Sequence, residues 1–237
     1  MVSKMGIQER KEREKEHRKE EIVDAAQKLF LDKGLQTTTM DEIAEAAELS
    51  KGTIYLYYKS KEDLYLAVIM RGIQTLYEMF DARIKTEPDV VKALMALQET
   101  YLDFFYKHRS YFRMMHFLQT PQFHKQVSDE MMQEASLVTQ KIWSLTIAVI
   151  ERGMKEGILI SNLNSVEIAI ILWSSATQLM MRMDTERDRW KEMMNIDLER
   201  VLRVSNSLLL GSILTTDAKQ ANAALLNTNT PGTGSGN

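Results

Sequence analysis

The chain has 237 residues, 44% hydrophobic and 27% charged, with no cysteine and a formal net charge of −3. That length can bury a substantial core in one domain or two, and the missing cysteine excludes a disulfide framework, a cysteine zinc site and thiol catalysis. Only ten Gly and three Pro are present, and Ala, Leu, Glu, Lys and Met are abundant, so the chain is expected to be all-α. The N-terminus is charged without an apolar core and no apolar run reaches about 18 residues, which predicts neither export nor membrane spanning and places the protein in the cytoplasm.

Residues 9–20, ERKEREKEHRKE, mix charges at helical spacing, as in Glu9 with Arg13 and Glu14 with Arg18. This predicts a solvated extension of the first helix. The alternative is a basic arm in which Arg10, Lys11, Arg13 and Lys15 track a nucleic-acid backbone. A first helix over 18–33 follows, with Ile22, Ala25, Ala26, Leu29 and Phe30 apolar and Gly34 as its stop.

Residues 39–61, TMDEIAEAAELSKGTIYLYYKSK, are the densest in signals. Thr39 with Glu42 three residues on is a capping box, so a helix begins near Met40 and runs to 47. Its apolar stripe is Met40, Ile43, Ala44 and Ala47. Ser50 is a second N-cap, opening a helix over 51–58 that buries Ile54 and Tyr58 and leaves Lys51, Thr53 and Tyr57 outward. Ser60 with Asp63 starts a third helix at once, over 61–84. Two short capped helices joined by a tight turn are the build of a helix-turn-helix. Such a unit presents the start of its second helix to base edges while hydroxyls and lysines hold phosphates. Thr38, Thr39, Ser50, Lys51, Gly52, Thr53, Tyr55, Tyr57 and Lys61 are therefore the candidate DNA-binding residues. An ordinary small helical subdomain, with Tyr55 and Tyr58 as core aromatics, is the alternative.

The negative total charge does not contradict this, because charge is unevenly placed. Residues 1–20 hold seven Lys or Arg against five Glu, 21–49 hold two against seven acids, and 50–61 hold three Lys and no acid. The local field at a reading surface matters more than the sum.

At these residues the chain resembles the TetR family of bacterial transcriptional regulators. The family's pattern falls here on Ile43-Ala44, Ser50, Gly52-Thr53, Ile54, Tyr55, Tyr57-Tyr58 and Ser60-Lys61-Glu62, and extends upstream through Ile22, Ala25, Ala26, Leu29, Phe30 and Gly34. The resemblance covers about a quarter of the chain. It implies an N-terminal three-helix DNA-binding head and a C-terminal helical ligand-binding and dimerisation domain. Two residues depart from the pattern: Glu48 stands where the family has a turn glycine, and Asp41 stands where many members carry a basic or neutral contact. A carboxylate at that place repels phosphate.

Beyond the head, Pro88 suits a helix start, and Leu94, Leu97, Tyr101, Phe104, Phe105 and His108 form an apolar face opposite Glu99, Asp103 and Lys107. Helices near 109–118 and 128–155 follow, the second stopping at Gly157. From Ile168 to Met181, and again from Val204 to Thr216, no residue is charged. Helices apolar all round must be covered all round, and a two-fold bundle from two chains would supply the cover, with a deeply buried intrachain core as the alternative. The expected division is a charged extension over 1–17, a helix-turn-helix domain over 18–64, an effector-binding and dimerisation domain over 65–215 and a flexible tail over 216–237.

Small-molecule sites between helices are mostly apolar with a few polar anchors. Tyr101, Phe105, Met114, Met115, Phe117, Trp143 and Trp173 are candidate linings, with His116, Gln119 and Gln178 as anchors, unless all are simply core. Sixteen Met residues favour an adaptable interior, and the scarcity of charge in the lining points to a lipophilic effector. The competing class is a helical-bundle enzyme or metal-binding protein without DNA binding. Its carboxylate-histidine spacing occurs once, at Glu14 to His17 within the solvated charge run, and there is no Walker loop, dinucleotide fingerprint or nucleophile elbow. No cofactor, metal or catalytic residue is expected. The reading is a homodimeric repressor, released from a near-palindromic double-stranded DNA operator by a lipophilic small molecule.

Overall fold

The computed structural model describes residues 2–117, 123 and 125–228. These residues form helices, with one isolated antiparallel bridge between Leu159 and Leu214. In chain order they are α1 (Val2–Thr37), α2 (Met40–Ala46), α3 (Lys51–Tyr55), α4 (Lys61–Ile84), α5 (Val90–Lys107), α6 (Arg109–Phe117), α7 (Asp129–Lys155), α8 (Ser165–Met194), α9 (Leu198–Ile213), α10 (Thr216–Ala221) and α11 (Ala223–Thr228). They fall into two compact units. The first holds residues 1–75 and 108–139, the second 76–107 and 140–237. The domain boundary expected at 64/65 thus falls inside α4, a helix that contributes to both units.

In the first unit, α1 lies antiparallel to the start of α4. Lys61 reaches the Gln36 carbonyl, Phe30 meets Tyr65 edge-on at 5.0 Å, and Arg71 bonds Gln27 at 2.9 Å and Asp24 at 2.6 Å, with Glu20 beyond. Ile22, Ala26 and Phe30 form the buried stripe of α1, and Ile43, Ile54, Leu64 and Val68 are buried in the same unit. Burial of the larger of these side chains stabilises the unit by about 1.5–3 kcal/mol each. Helix α1 begins at Val2, so residues 9–20 extend the first helix as their charge spacing predicted, with ion pairs such as Arg10–Glu14 at 2.8 Å and Lys19–Glu16 at 3.2 Å on its exposed part.

Gly34, at φ +78, breaks the regular helix inside α1 at the position read as its stop. The α2–α3 turn needs the same left-handed backbone at Glu48, which has φ 54. An L side chain in that region is strained, which is the physical meaning of the glycine the TetR pattern has there.

In the second unit, α5 buries Leu94, Leu97, Tyr101, Phe104 and Phe105 as its spacing predicted, and leaves Glu99 exposed to pair with Arg203 at 2.7 Å. Gly153 on α7 lets Val90 and Leu159 approach to 2.7 Å from where a Cβ would stand. Helix α7 ends before Gly157, at φ +71. Helices α8 and α9 form a hairpin fastened by Ser175 and Ser205, whose hydroxyls are 3.0 Å apart. Helix α8 continues to Met194 through the charged run after Met181, with Asn195 in the left-handed conformation as its cap. One face of the hairpin is uncovered: Ile170 is 48% exposed, Ile171 50% and Leu208 69%. Within the tail expected to be flexible, α10 and α11 are helical, and α11 meets α9, with Ser207 Oγ donating to the Leu226 carbonyl at 2.8 Å. Residues 229–237 lie outside the described residues.

Glu48→Gly is expected to stabilise the first unit by up to about 1 kcal/mol, since relief of left-handed strain slightly exceeds the added chain entropy of glycine. Thermal melting with a probe in residues 1–75 reads this out; an unchanged or lowered midpoint would show that the turn is not strained.

Candidate nucleic-acid interface and internal cavity

Local hydrogen bonds position the helix-turn-helix. The Thr39 amide donates to Glu42 Oε2 at 2.9 Å and the Glu42 amide donates to Thr39 Oγ1 at 3.3 Å, so the capping box is closed. Lys33 also bonds Glu42. That bond and those from the Thr39 amide and hydroxyl hold the Glu42 carboxyl down at about 2, well below the usual carboxylate range. Ser50 Oγ accepts from the Thr53 amide at 3.0 Å and opens α3. Helix α3 ends at Tyr55 rather than at 58, because Tyr57 and Tyr58 both donate backward to the Ile54 carbonyl in a closing turn.

The nine expected DNA-binding residues do not share one fate. Thr39, Ser50, Lys51, Gly52 and Tyr55 are exposed and Thr53, Tyr57 and Lys61 half-buried. Tyr55, 46% exposed, is not a core aromatic, whereas Tyr58 is, and burial pushes the Tyr58 phenol up. Thr38 is a correction: it is fully buried, with its hydroxyl donating to the Gly34 carbonyl at 2.8 Å, and faces no partner outside the chain. Sequence reasoning took it for a surface hydroxyl because it adjoins the cap. Asp41 was set apart only as a departure from the family pattern, but its carboxylate lies 2.8 Å from Lys51 Nζ. This contact, led by its hydrogen bond, raises the Lys51 ammonium's pKa.

The turn after α3 is fastened to the start of α7 within the same unit. Asp63, 1% exposed, accepts from the Ser128 amide at 2.7 Å, Ser60 Oγ donates to the Gln126 carbonyl at 3.3 Å, and Lys59 pairs with Glu130. Beside it a groove of about 570 Å³ runs between α1, the α3–α4 turn and α7, lined by charges of both signs including Lys19, Glu20, Lys59 and Glu134. No sequence pattern announced these contacts, because they join residues some 65 positions apart.

In the second unit, Tyr101, Trp143 and Trp173 come together as expected. Tyr101 stacks on Trp173 at 4.3 Å, and Trp143 lies 5.8 Å from Trp173. With Phe80, Leu97, Ile142 and Leu172 they line a partly open pocket of about 50 Å³ whose polar lining includes Gln98 and Thr146. The Tyr101 hydroxyl is already bonded to Thr177 at 2.9 Å, and burial pushes its phenol up. The other expected lining residues are corrected. Phe105 is buried but faces Tyr106, 5.1 Å away, instead of the cavity. Met114 and Met115 belong to the first unit, where Met114 lines a groove beside Phe30 and Tyr65. Gln178 is exposed, three and four residues along from Ser175 and Ser174 on α8. The side chains of Phe117 and His116, and Gln119 as a whole, lie outside the described residues. Phe80, Gln98 and Thr146 were missed, since each lies on a helix whose role was read from other residues. Among the described residues no three His, Asp or Glu gather as metal ligands, and no helix is long and apolar enough to cross a membrane.

Residues 22–68 match the family model described as bacterial regulatory proteins, tetR family. The HTH-type transcriptional activator FasR of Mycolicibacterium smegmatis is 34% identical over 90 residues, which are 38% of this chain and 41% of that protein. The chain thus matches less than half the length of that relative. Over the whole fold, the structure of FadR from Bacillus subtilis in complex with stearoyl-CoA is similar at a TM-score of 0.63 with 17% identity, covering 81% of this chain and 98% of that one. The structure of Thermus thermophilus FadR, a repressor in complex with lauroyl-CoA, is similar at 0.61 with 22% identity, covering 83% and 95%.

If the Lys33 and Thr39 bonds hold Glu42 as described, its carboxyl should titrate near pH 2 rather than 4.5. The contribution of its carboxylate to folding is then fully present above the unfolded value and fades as pH falls from about 4.5 towards 2. Carboxyl NMR titration checks the value. Glu42→Gln should flatten the melting profile in that window, and an ordinary midpoint would remove the capping box from the account.

Proposed function

Because the head of this chain belongs to the TetR family of bacterial regulatory proteins, we propose that the protein is a ligand-responsive DNA-binding transcriptional repressor. The observation that carries the reading is the closed helix-turn-helix, in which Thr39, Ser50, Lys51 and Tyr55 are presented together on exposed surface. Ser50, Lys51 and Gly52 at the start of α3 meet base edges in the major groove. Thr39, Tyr57 and Lys61 hold phosphates. The protein acts in the cytoplasm, on a near-palindromic operator.

Two copies bind together. The uncovered residues Ile170, Ile171 and Leu208 supply the apolar surface for a two-fold helix bundle. One head per chain then matches one half-site, with half-sites about 34–36 Å apart or a multiple of that.

The effector is a lipophilic small molecule held beside Tyr101, Trp143 and Trp173. The likeness to two FadR structures with acyl-CoA ligands supports an acyl compound among the candidates. At about 50 Å³ the cavity is far smaller than the roughly 300–1,000 Å³ of ligand sites. Entry of an effector must therefore displace its walls, one of which is Phe80 on α4. Lys61 begins the same helix, 19 residues earlier. A ligand that moves Phe80 favours a different placement of the helix that carries a phosphate contact, and that differential affinity is what releases the DNA.

Lys61→Ala is expected to weaken binding to all duplexes alike and to lower the salt slope by about one per head, measured by fluorescence anisotropy across a salt series. Unchanged affinity and slope would remove Lys61 from the interface. An acyl or aromatic compound that releases operator should perturb the fluorescence of Trp143 and Trp173, and its affinity should fall in the presence of operator by the factor by which it lowers operator affinity. Release by a strongly charged, hydrophilic metabolite alone would overturn the lipophilic assignment.

A further inference from the structure

Asp41 and Lys51 form an ion pair that the fold does not need. Asp41 is the second residue of α2, but Thr39 and Glu42 do the capping there. Both oxygens of its carboxylate lie close to Lys51 Nζ, at 2.8 and 2.9 Å, and the side chains are 69% and 49% exposed. Exposed pairs of this kind contribute little to stability and exchange readily for other partners. The pair lies on the surface that also presents Thr39, Ser50 and Tyr55, and residues 50–61 hold no acid of their own. A carboxylate at a surface that must approach a polyanion is costly unless it meets a donor.

Both kinds of base pair offer a donor beside an acceptor in the major groove, but only G·C gives the lysine two adjacent acceptors as well. A G·C pair presents guanine N7 and O6 as acceptors, with the cytosine N4 amino group as donor beside O6. A lysine and a carboxylate in contact present the complement, a donor beside an acceptor. On an A·T pair the adenine amino group stands where O6 would be and leaves the ammonium fewer acceptors. A phosphate offers acceptors only.

Resting on the DNA-binding reading above, we propose that Asp41 and Lys51 read one G·C base pair as a unit, Lys51 donating to guanine and Asp41 accepting from cytosine N4, and that Asp41 withholds Lys51 from phosphates. Asp41 thereby trades affinity for any duplex against selectivity for one. The lysine is released from its carboxylate partner with least loss where the base pair supplies a donor for the carboxylate and two acceptors for the ammonium.

The test is selection from a random duplex library with the full-length wild type, Asp41→Ala and Lys51→Ala, followed by titration of the selected duplex, its single-pair variants and a random-sequence duplex. Wild type should require G·C at one position of each half-site. Asp41→Ala should bind the random duplex more tightly by about tenfold, with a salt slope steeper by about one per head, and should lose about tenfold or more in discrimination at that position. Lys51→Ala should lose the same discrimination without gaining affinity for random duplex. Selection of A·T at that position by the wild type, or an Asp41→Ala protein with unchanged random-duplex affinity and unchanged discrimination, overturns the inference and leaves the DNA-binding reading standing. A wild type that enriches no duplex at all overturns both. Equal melting temperatures for wild type and Asp41→Ala establish that the comparison is between folded proteins.

Discussion

Two helices of seven and five residues cannot hold themselves in water, and everything the head could do depends on how α2 and α3 are nevertheless fixed. Isolated helices shorter than about 12–15 residues are marginal because nucleation costs more than so few backbone bonds return. Here caps and burial replace length. Thr39, Glu42 and Ser50 satisfy the backbone donors at both starts, and Ile43 and Ile54, both fully buried, tie the helices to α1 and α4. Exposed Ser50, Lys51 and Tyr55 are thereby held on a rigid base, although the element that carries them is little more than one turn long.

The same economy explains what could be read from the sequence. Caps are local, so Thr39, Ser50 and Ser60 gave the helix starts at 40, 51 and 61 that the structure has. Apolar spacing is also local, and it marked the buried faces of α2 and α5. Side-chain partners far along the chain were not legible. Nothing in the order of residues says that Asp63 accepts from Ser128, or that Met114 lies in a different unit from Trp143. Thr38 shows the limit within a single turn: its type is that of a surface hydroxyl, and only the left-handed Gly34 beside it brings a carbonyl within reach and buries it. The cavity was half legible for a related reason. Aromatic residues announce themselves by size, whereas Gln98, Thr146 and Ala176 become walls only through the packing of α5, α7 and α8.

Helix α4 has two kinds of commitment along its length. Near its start Asp63 and Leu64 are buried and Tyr65 packs between Phe30 and Phe123, with burial pushing the Tyr65 phenol up to about 12. Farther along, Phe80 meets Tyr101 edge-on at 6.5 Å and closes one side of the cavity. No proline interrupts the helix, and no glycine lies between Ile73 and Ile84. Gly72 is the exception in the middle of the helix. A Cβ there would stand 2.7 Å from the Tyr111 ring, so the small residue serves packing within the first unit.

The aromatic pocket of the second unit is small and only partly closed. In the described conformation the aromatic walls satisfy each other: Tyr101 stacks on Trp173 and bonds Thr177, leaving room for little more than a water or two. On the proposed function, an effector must replace these contacts with better ones, and its net binding energy is reduced by whatever the aromatic packing is worth. The ligand acts only through the difference in its affinity for two arrangements, so the packing of Tyr101, Trp143 and Trp173 around so small a void sets how much of its binding energy remains for that difference.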